Sequence, residues 1–151
     1  MQCFRGHALR RGRYSETGRL YLLTTVTWQR RRLFDDLFAG RQVANQLREI
    51  QESGLASTLC WVLMPDHLHW LVQLEAGSLE RVMQRLKSRS AKAVNAFMGN
   101  RGQVWQKGYH DRAVRSDEDV RQLARYIVAN PLRAGTVRRV GEYSLWDAIW
   151  L

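Results

Sequence analysis

Cysteine is nearly absent from this 151-residue sequence, with Cys3 and Cys60 the only two. They lie far apart and outside any C-x-x-C pattern, which excludes a disulfide framework and a zinc knuckle; a reduced, cytoplasmic setting is expected. Proline is as scarce, with Pro65 and Pro131 alone, and no low-complexity tract, internal repeat or interdomain linker interrupts the chain. Long apolar runs are missing too. The opening MQCFRGHALRRGRYSETGR is basic but lacks the apolar centre of a secretory signal, and no later run is long enough to span a bilayer. Acids are in deficit, 14 Asp and Glu against 24 Lys and Arg, for a net charge of +10. That balance points to a polyanionic partner, nucleic acid before an anionic membrane surface. The length suits one domain over residues 1–151 with a real core.

What is present alternates between two periodicities. RLYLLTTVTWQ, Arg19 to Gln29, is rich in Tyr, Leu, Thr and Val and follows Gly18, so it reads as a strand. DDLFAGRQVANQLREIQESG reads as a helix: Leu37, Val43, Leu47 and Ile50 recur at near-helical spacing, acids open it and Gly54 closes it. LASTLCWVLM and HLHWLVQLE then form a hairpin turning at Pro65-Asp66. A second helix is predicted from a Ser78 cap to Gly99, with Arg81, Arg85, Lys87, Arg89 and Lys92 on its basic side. QVWQKGYHDRAVRS supplies a fourth strand. A third helix is expected from Ser116, which forms a capping-box variant with Asp119, to about Asn130, where Pro131 disfavours helical geometry. The fold class is therefore α+β: a βαββαβ order of the ferredoxin-like or RRM-like kind, one sheet with two helices on a face, plus an extra C-terminal helix.

Two features carry chemistry. In WVLMPDHLHWLVQL, strand geometry puts His67 and His69 on one face while Leu68, Trp70 and Val72 line the other. Such a pair reads either as two half-exposed strand histidines or as two imidazoles converging on one divalent ion. In the last helix Tyr126 and Asn130 stand four residues apart, on nearly one side. They read as a core-edge tyrosine and a capping amide, or as a nucleophile and a third ligand. Two imidazoles and an amide oxygen suit Mg²⁺ or Mn²⁺ and leave positions for a phosphate oxygen, which would make a phosphoryl-transfer site.

These residues resemble the single-tyrosine HUH transposases, and among them the REP-associated tyrosine transposases. The resemblance rests on MPDHLHWLV at Met64 to Val72, VWQKGYHDRAVR at Val104 to Arg115 and YIVANPLRAGTV at Tyr126 to Val137, with a weaker match at YLLTTVTWQRRRLF. It implies metal ligation by His67, His69 and Asn130, a Tyr126 nucleophile, and cleavage and rejoining of single-stranded DNA at hairpin repeats through a 5′-phosphotyrosine. Asp66 stands where relatives often have Asn. REP-associated relatives act alone and insertion-sequence members exchange tyrosine helices in dimers, so a monomer is expected, with a homodimer as the alternative. DNA contacts are expected from Arg10, Arg11, Arg13, Arg81, Arg85, Arg89, Lys92 and Lys107, with Tyr109 stacking on a base.

Two other classes share part of the pattern. A non-catalytic RRM-like module has the same element order, but KGYHDRAV leaves the RNP1 pattern at His110, Asp111 and Arg112. A metal-dependent nuclease using water needs the histidines but not the tyrosine, and forms no covalent product.

Overall fold

A computed structural model of the chain describes residues 15–150. Five strands form one antiparallel sheet: β1 (Leu20–Val26), β2 (Ala56–Met64), β3 (His67–Leu74), β4 (His110–Ala113) and β5 (Trp146–Ala148), in the order β4-β1-β3-β2-β5. The helices are α1 (Leu37–Glu52), α2 (Leu79–Met98), α3 (Val120–Val128) and the single turn α4 (Asn130–Arg133). The first four strands and two long helices reproduce the expected βαββαβ order.

Local chemistry sets the ends of the long helices. The Asp36 carboxylate accepts from the Phe38 and Ala39 amides and opens α1. Ser78 Oγ accepts from the Arg81 amide at the start of α2, and Gly99, at φ 67°, closes it in the left-handed region where a side chain is unfavourable. In each case an orphan helix-end group finds a partner.

Strand alternation divides the sheet into two faces. Tyr21, Leu23, Leu68, Trp70 and Val72 pack under α1 and α2, against Val43, Leu47, Ile50, Val82, Met83 and Leu86. Trp70 is fully buried and donates through Nε1 to Thr58 Oγ1 at 2.9 Å, so its polar edge is satisfied within the core. Truncating such a side chain to Ala costs about 3–5 kcal/mol. The opposite face packs Cys60, Val62, Met64 and Leu71 against Ala124 and Ile127 of α3. His67 and His69 share strand parity with Leu71 and stand on this second face, beneath the layer that α3 provides.

Three expectations need correction. The third helix begins at Val120, capped by Asp119 rather than Ser116; the Asp119 carboxylate accepts from the Gln122 amide. Glu118 is held by Arg112, at 2.7 Å, and by the Arg115 amide at 2.9 Å, which keeps residues 115–118 in a turn. α3 ends at Val128, near the expected stop, but Asn130 is itself helical and opens the separate turn α4, with Pro131 in its first turn. The fifth strand was not foreseen. Trp146–Ala148 pairs with Cys60–Val62 at the β2 edge, and Leu145 beside it is buried against α1. A Cβ on Gly40 would meet Leu145 Cδ1 at 2.5 Å, so this helix-interior glycine permits the close approach.

Candidate active site

The hairpin turn brings Asp66 beside His67, and β1 supplies Thr24 opposite His69. His67 Nδ1 and Asp66 Oδ1 are 2.6 Å apart, and Thr24 Oγ1 and His69 Nδ1 are 3.0 Å apart. The two imidazoles meet edge to face, with ring centres 4.8 Å apart and planes at 82°. With both Nδ1 edges engaged, Nε2 is the nitrogen each ring can offer a ligand.

Arg30 donates through Nη1 to Asp66 Oδ2 at 3.2 Å, which holds the carboxylate beside His67. It sits in a turn where Gln29 and Arg30 adopt φ of 54° and 51°, sparsely populated for side-chain-bearing residues. The turn is fixed by the Thr27 amide donating to the Asp66 carbonyl at 2.9 Å and by the Phe34 amide donating to the Pro65 carbonyl at 3.0 Å.

Electrostatics divide the cluster. Burial lowers the His69 pKa to about 4, reinforced by the nearby charges of His67 and Arg133, so this imidazole is neutral near pH 7 as metal ligation requires. Burial of Asp66 opposes ionisation, but its hydrogen bond with His67, the His67 charge and Arg30 together hold its carboxyl below the usual range.

Tyr126 lies on α3 and its side chain is largely exposed, at 63%. The Arg133 guanidinium covers its ring at 3.7 Å from the centre, while Arg133 Nη1 donates to the Tyr126 carbonyl at 2.6 Å. Asn130 Nδ2 donates to the Ile127 carbonyl at 3.1 Å, a capping contact that directs the amide nitrogen into the helix end and leaves Oδ1 as the atom for a cation. Among the described residues no three His, Cys, Asp or Glu side chains cluster closely enough to hold a metal ion. A site built on the histidine pair therefore needs a neutral oxygen donor such as the Asn130 amide. Two imidazoles, each with Nδ1 engaged by Asp66 or Thr24, and an amide oxygen are donors of the types a small divalent ion would take.

The sequence model described as "Transposase IS200 like" matches residues 17–130. The chain belongs to the IS200-like transposase family. The REP-associated tyrosine transposase of Escherichia coli (strain K12) is 28% identical over 85 residues, 55% of this chain and 48% of that protein, so the match spans about half of that relative's length. A solved REP-associated tyrosine transposase bound to a REP hairpin has the same fold, with a TM-score of 0.72 and 20% identity over 97% of this chain and 82% of that one. A putative transposase from Deinococcus radiodurans R1 matches with a TM-score of 0.56 and 21% identity, over 84% of this chain and 95% of the other.

In this IS200-like chain the other expected contacts fall in different places. Arg81, Arg89 and Lys92 are exposed and Arg85 is half-buried on α2, on the sheet face opposite the histidines. Lys107 is exposed in the loop before β4. Tyr109 is a correction: it is 6% exposed within the core under α1 and α2, so its ring has no open face for a base. Lys87 is another. Its ammonium donates to the Gln106 and Gly108 carbonyls at 2.5 and 2.6 Å instead of facing water. Arg10, Arg11 and Arg13 lie outside the described residues. No helix of the described residues is long and apolar enough to cross a membrane.

Sequence reasoning missed Thr24, Arg30 and Arg133. Thr24 is visible only once β1 is paired with β3, and Arg30 only once the hairpin turn meets the turn after β1. Arg133 carried a local signal: it follows Tyr126 by seven residues, two helical turns, and stays on the same side across the Pro131 break.

Proposed function

We propose that this transposase cleaves and rejoins single-stranded DNA at hairpin repeats of the REP type, through a covalent bond to Tyr126. The reading is carried by one observation: His67 and His69 meet with ring centres 4.8 Å apart, both Nδ1 edges held, on the sheet face covered by the helix bearing Tyr126. The name of the Escherichia coli relative and the hairpin bound by the solved relative support the choice of substrate.

In the proposed reaction the Tyr126 hydroxyl attacks the scissile phosphorus and gives up its proton to solvent. The bond to the 3′ oxygen breaks, leaving a 5′-phosphotyrosine and a free 3′-hydroxyl. Attack by another 3′-hydroxyl reverses the step and joins strands, and since the phosphodiester energy is retained no ATP is needed. Mg²⁺ or Mn²⁺, held by His67, His69 and Asn130, would polarise the phosphate and offset developing charge. Asp66 and Thr24 fix the imidazole rings, and Arg133 holds the Tyr126 ring. Exposed Arg81, Arg89, Lys92 and Lys107, with Arg85, would bind phosphates; since the α2 residues lie across the sheet from Tyr126, one substrate must pass an edge of the sheet to touch both.

The test is incubation with labelled single-stranded hairpin DNA and Mg²⁺ or Mn²⁺, followed by a denaturing gel, with Tyr126→Phe alongside. A metal-dependent protein–DNA adduct that disappears in the variant, while DNA binding persists, is the expected result. An adduct in the Phe variant overturns the assignment of the nucleophile. DNA cut with no adduct overturns the transesterification in favour of water as nucleophile, and binding of the hairpin without cleavage favours a non-catalytic module.

A further inference from the structure

A cleft between α3 and β5 has no part in the reaction above. It measures about 320 Å³, and its lining includes Arg121, Ala124, Arg125, Val128, Trp146 and Trp150. Trp146 Nε1 donates to the Val140 carbonyl at 3.1 Å, which fixes that indole. Trp150 keeps 36% of its surface exposed, and the Arg121 guanidinium stands 5.8 Å from its ring centre. Arg121 and Arg125 are one helical turn apart, both exposed, and neither is paired with a carboxylate among the described residues. An apolar floor, a partly exposed indole with one cation over its ring and a second cation one helical turn away together fit a flat aromatic group attached to an anion.

We propose that this cleft binds one unpaired nucleobase of single-stranded DNA, with Trp150 stacking on the base and Arg121 and Arg125 contacting its phosphates. The proposal rests on the reading of the chain as a single-stranded DNA enzyme and adds a subsite to it. Arg125 and Tyr126 are consecutive, so their side chains leave α3 about 100° apart, one on the flank facing β5 and the other on the flank bearing the nucleophile. A helix with its side chains is about 10–12 Å across, and stacked nucleotides rise ~3.4 Å each. A strand crossing α3 from Tyr126 therefore reaches the cleft within a few nucleotides of the scissile phosphate.

The probe is an oligo-dT of about 12 nucleotides beside an abasic oligomer of equal length, which has the same phosphates and no bases. The wild-type chain binds the dT strand more tightly than the abasic one. Trp150→Ala lowers dT affinity on the order of tenfold and leaves abasic affinity unchanged, Trp150→Phe restores the preference, and Arg121→Ala weakens both probes. A dT-to-abasic ratio that Trp150→Ala does not alter overturns the subsite, as does an equal loss on both probes. The Tyr126 adduct is scored separately. Absence of adduct with the Trp150-dependent ratio intact overturns the proposed reaction alone, and adduct formation with a Trp150-independent ratio overturns the subsite alone.

Discussion

The Arg133 guanidinium stacks 3.7 Å from the centre of the Tyr126 ring and its Nη1 donates to the Tyr126 carbonyl at 2.6 Å. One side chain thus restrains both ends of the candidate nucleophile and also contributes to the low pKa of His69. The planar guanidinium allows stacking and hydrogen bonding together, which a lysine ammonium does not. Arg133→Ala is expected to lower the rate of adduct formation by about 10- to 100-fold, the scale on which small misplacements of reacting groups act. The exposed cation–π contact accounts for only about 0.5–1 kcal/mol of stability. Arg133→Lys should recover the fold but little of the rate. Single-turnover kinetics with thermal melts on the same samples check this; a Lys variant at full rate would show that charge alone suffices.

Asp66 stands 2.6 Å from His67 Nδ1 and is itself held by Arg30. A carboxylate behind a ligating histidine fixes its tautomer and raises its basicity, and its loss typically weakens metal binding by about 10- to 100-fold. Asp66→Asn is expected to fall at the lower end of that range, because the amide oxygen still accepts a hydrogen bond; Asp66→Ala should fall at the upper end. Calorimetric titration with Mn²⁺ separates them, and equal affinities for all three proteins would remove Asp66 from the site.

The central fold was legible because each signal was local. Asp36, Ser78 and Gly99 mark helix ends by their own chemistry, and Pro65-Asp66 marks the turn that sets the histidines on one face. The start of α3 was misread because Ser116 and Asp119 are both competent caps, and the choice is made by Arg112, on another element, pulling Glu118 into a turn. β5 was missed since three residues at a sheet edge owe their strand to pairing with β2, eighty-odd positions away. Basic residues mislead for a related reason: Lys87 has the same sequence signal as Arg89, yet one is turned into a loop's carbonyls and the other into water. The histidine pair and Tyr126 were visible, whereas Thr24, Arg30 and Arg133 act through contacts that exist only after folding.

Lys87 links α2 to the loop before β4 by donating to the Gln106 and Gly108 carbonyls. Burial lowers its pKa to about 8. Lys87→Met keeps most of the apolar stem but leaves two carbonyls without their donor, so destabilisation by about 2–3 kcal/mol is expected, in the range for hydrogen bonds to a charged group. The loop carries Trp105, whose Nε1 donates to Ser90 Oγ at 2.9 Å, so protection of that indole N–H from hydrogen exchange should fall along with the melting temperature. Unchanged denaturant midpoints for the Met variant would show that the two carbonyls gain water without penalty.

His69 makes the metal-free protein acid-sensitive. Its pKa falls from an ordinary 6.5 to about 4 on folding, so between these values the unfolded chain binds a proton that the folded chain refuses. Stability therefore rises with pH through this window. It is complete above the unfolded value and lost progressively as pH falls from about 6.5 to about 4, and the shift corresponds to about 3 kcal/mol. Asp66, whose carboxyl is also held below its usual range, loses its contribution lower still, as pH falls from the unfolded carboxylate value through its folded one. Denaturant unfolding in the presence of a chelator should show a decline that starts near pH 6.5 in the wild type and is absent in His69→Gln, where the residue cannot titrate. The Gln variant also retains a polar partner for Thr24 Oγ1, so the two proteins should agree near pH 7 and diverge towards pH 4, where only the wild type has lost stability. A wild-type profile that stays flat between pH 6.5 and 4 would mean that His69 is solvated enough to accept its proton in the folded chain.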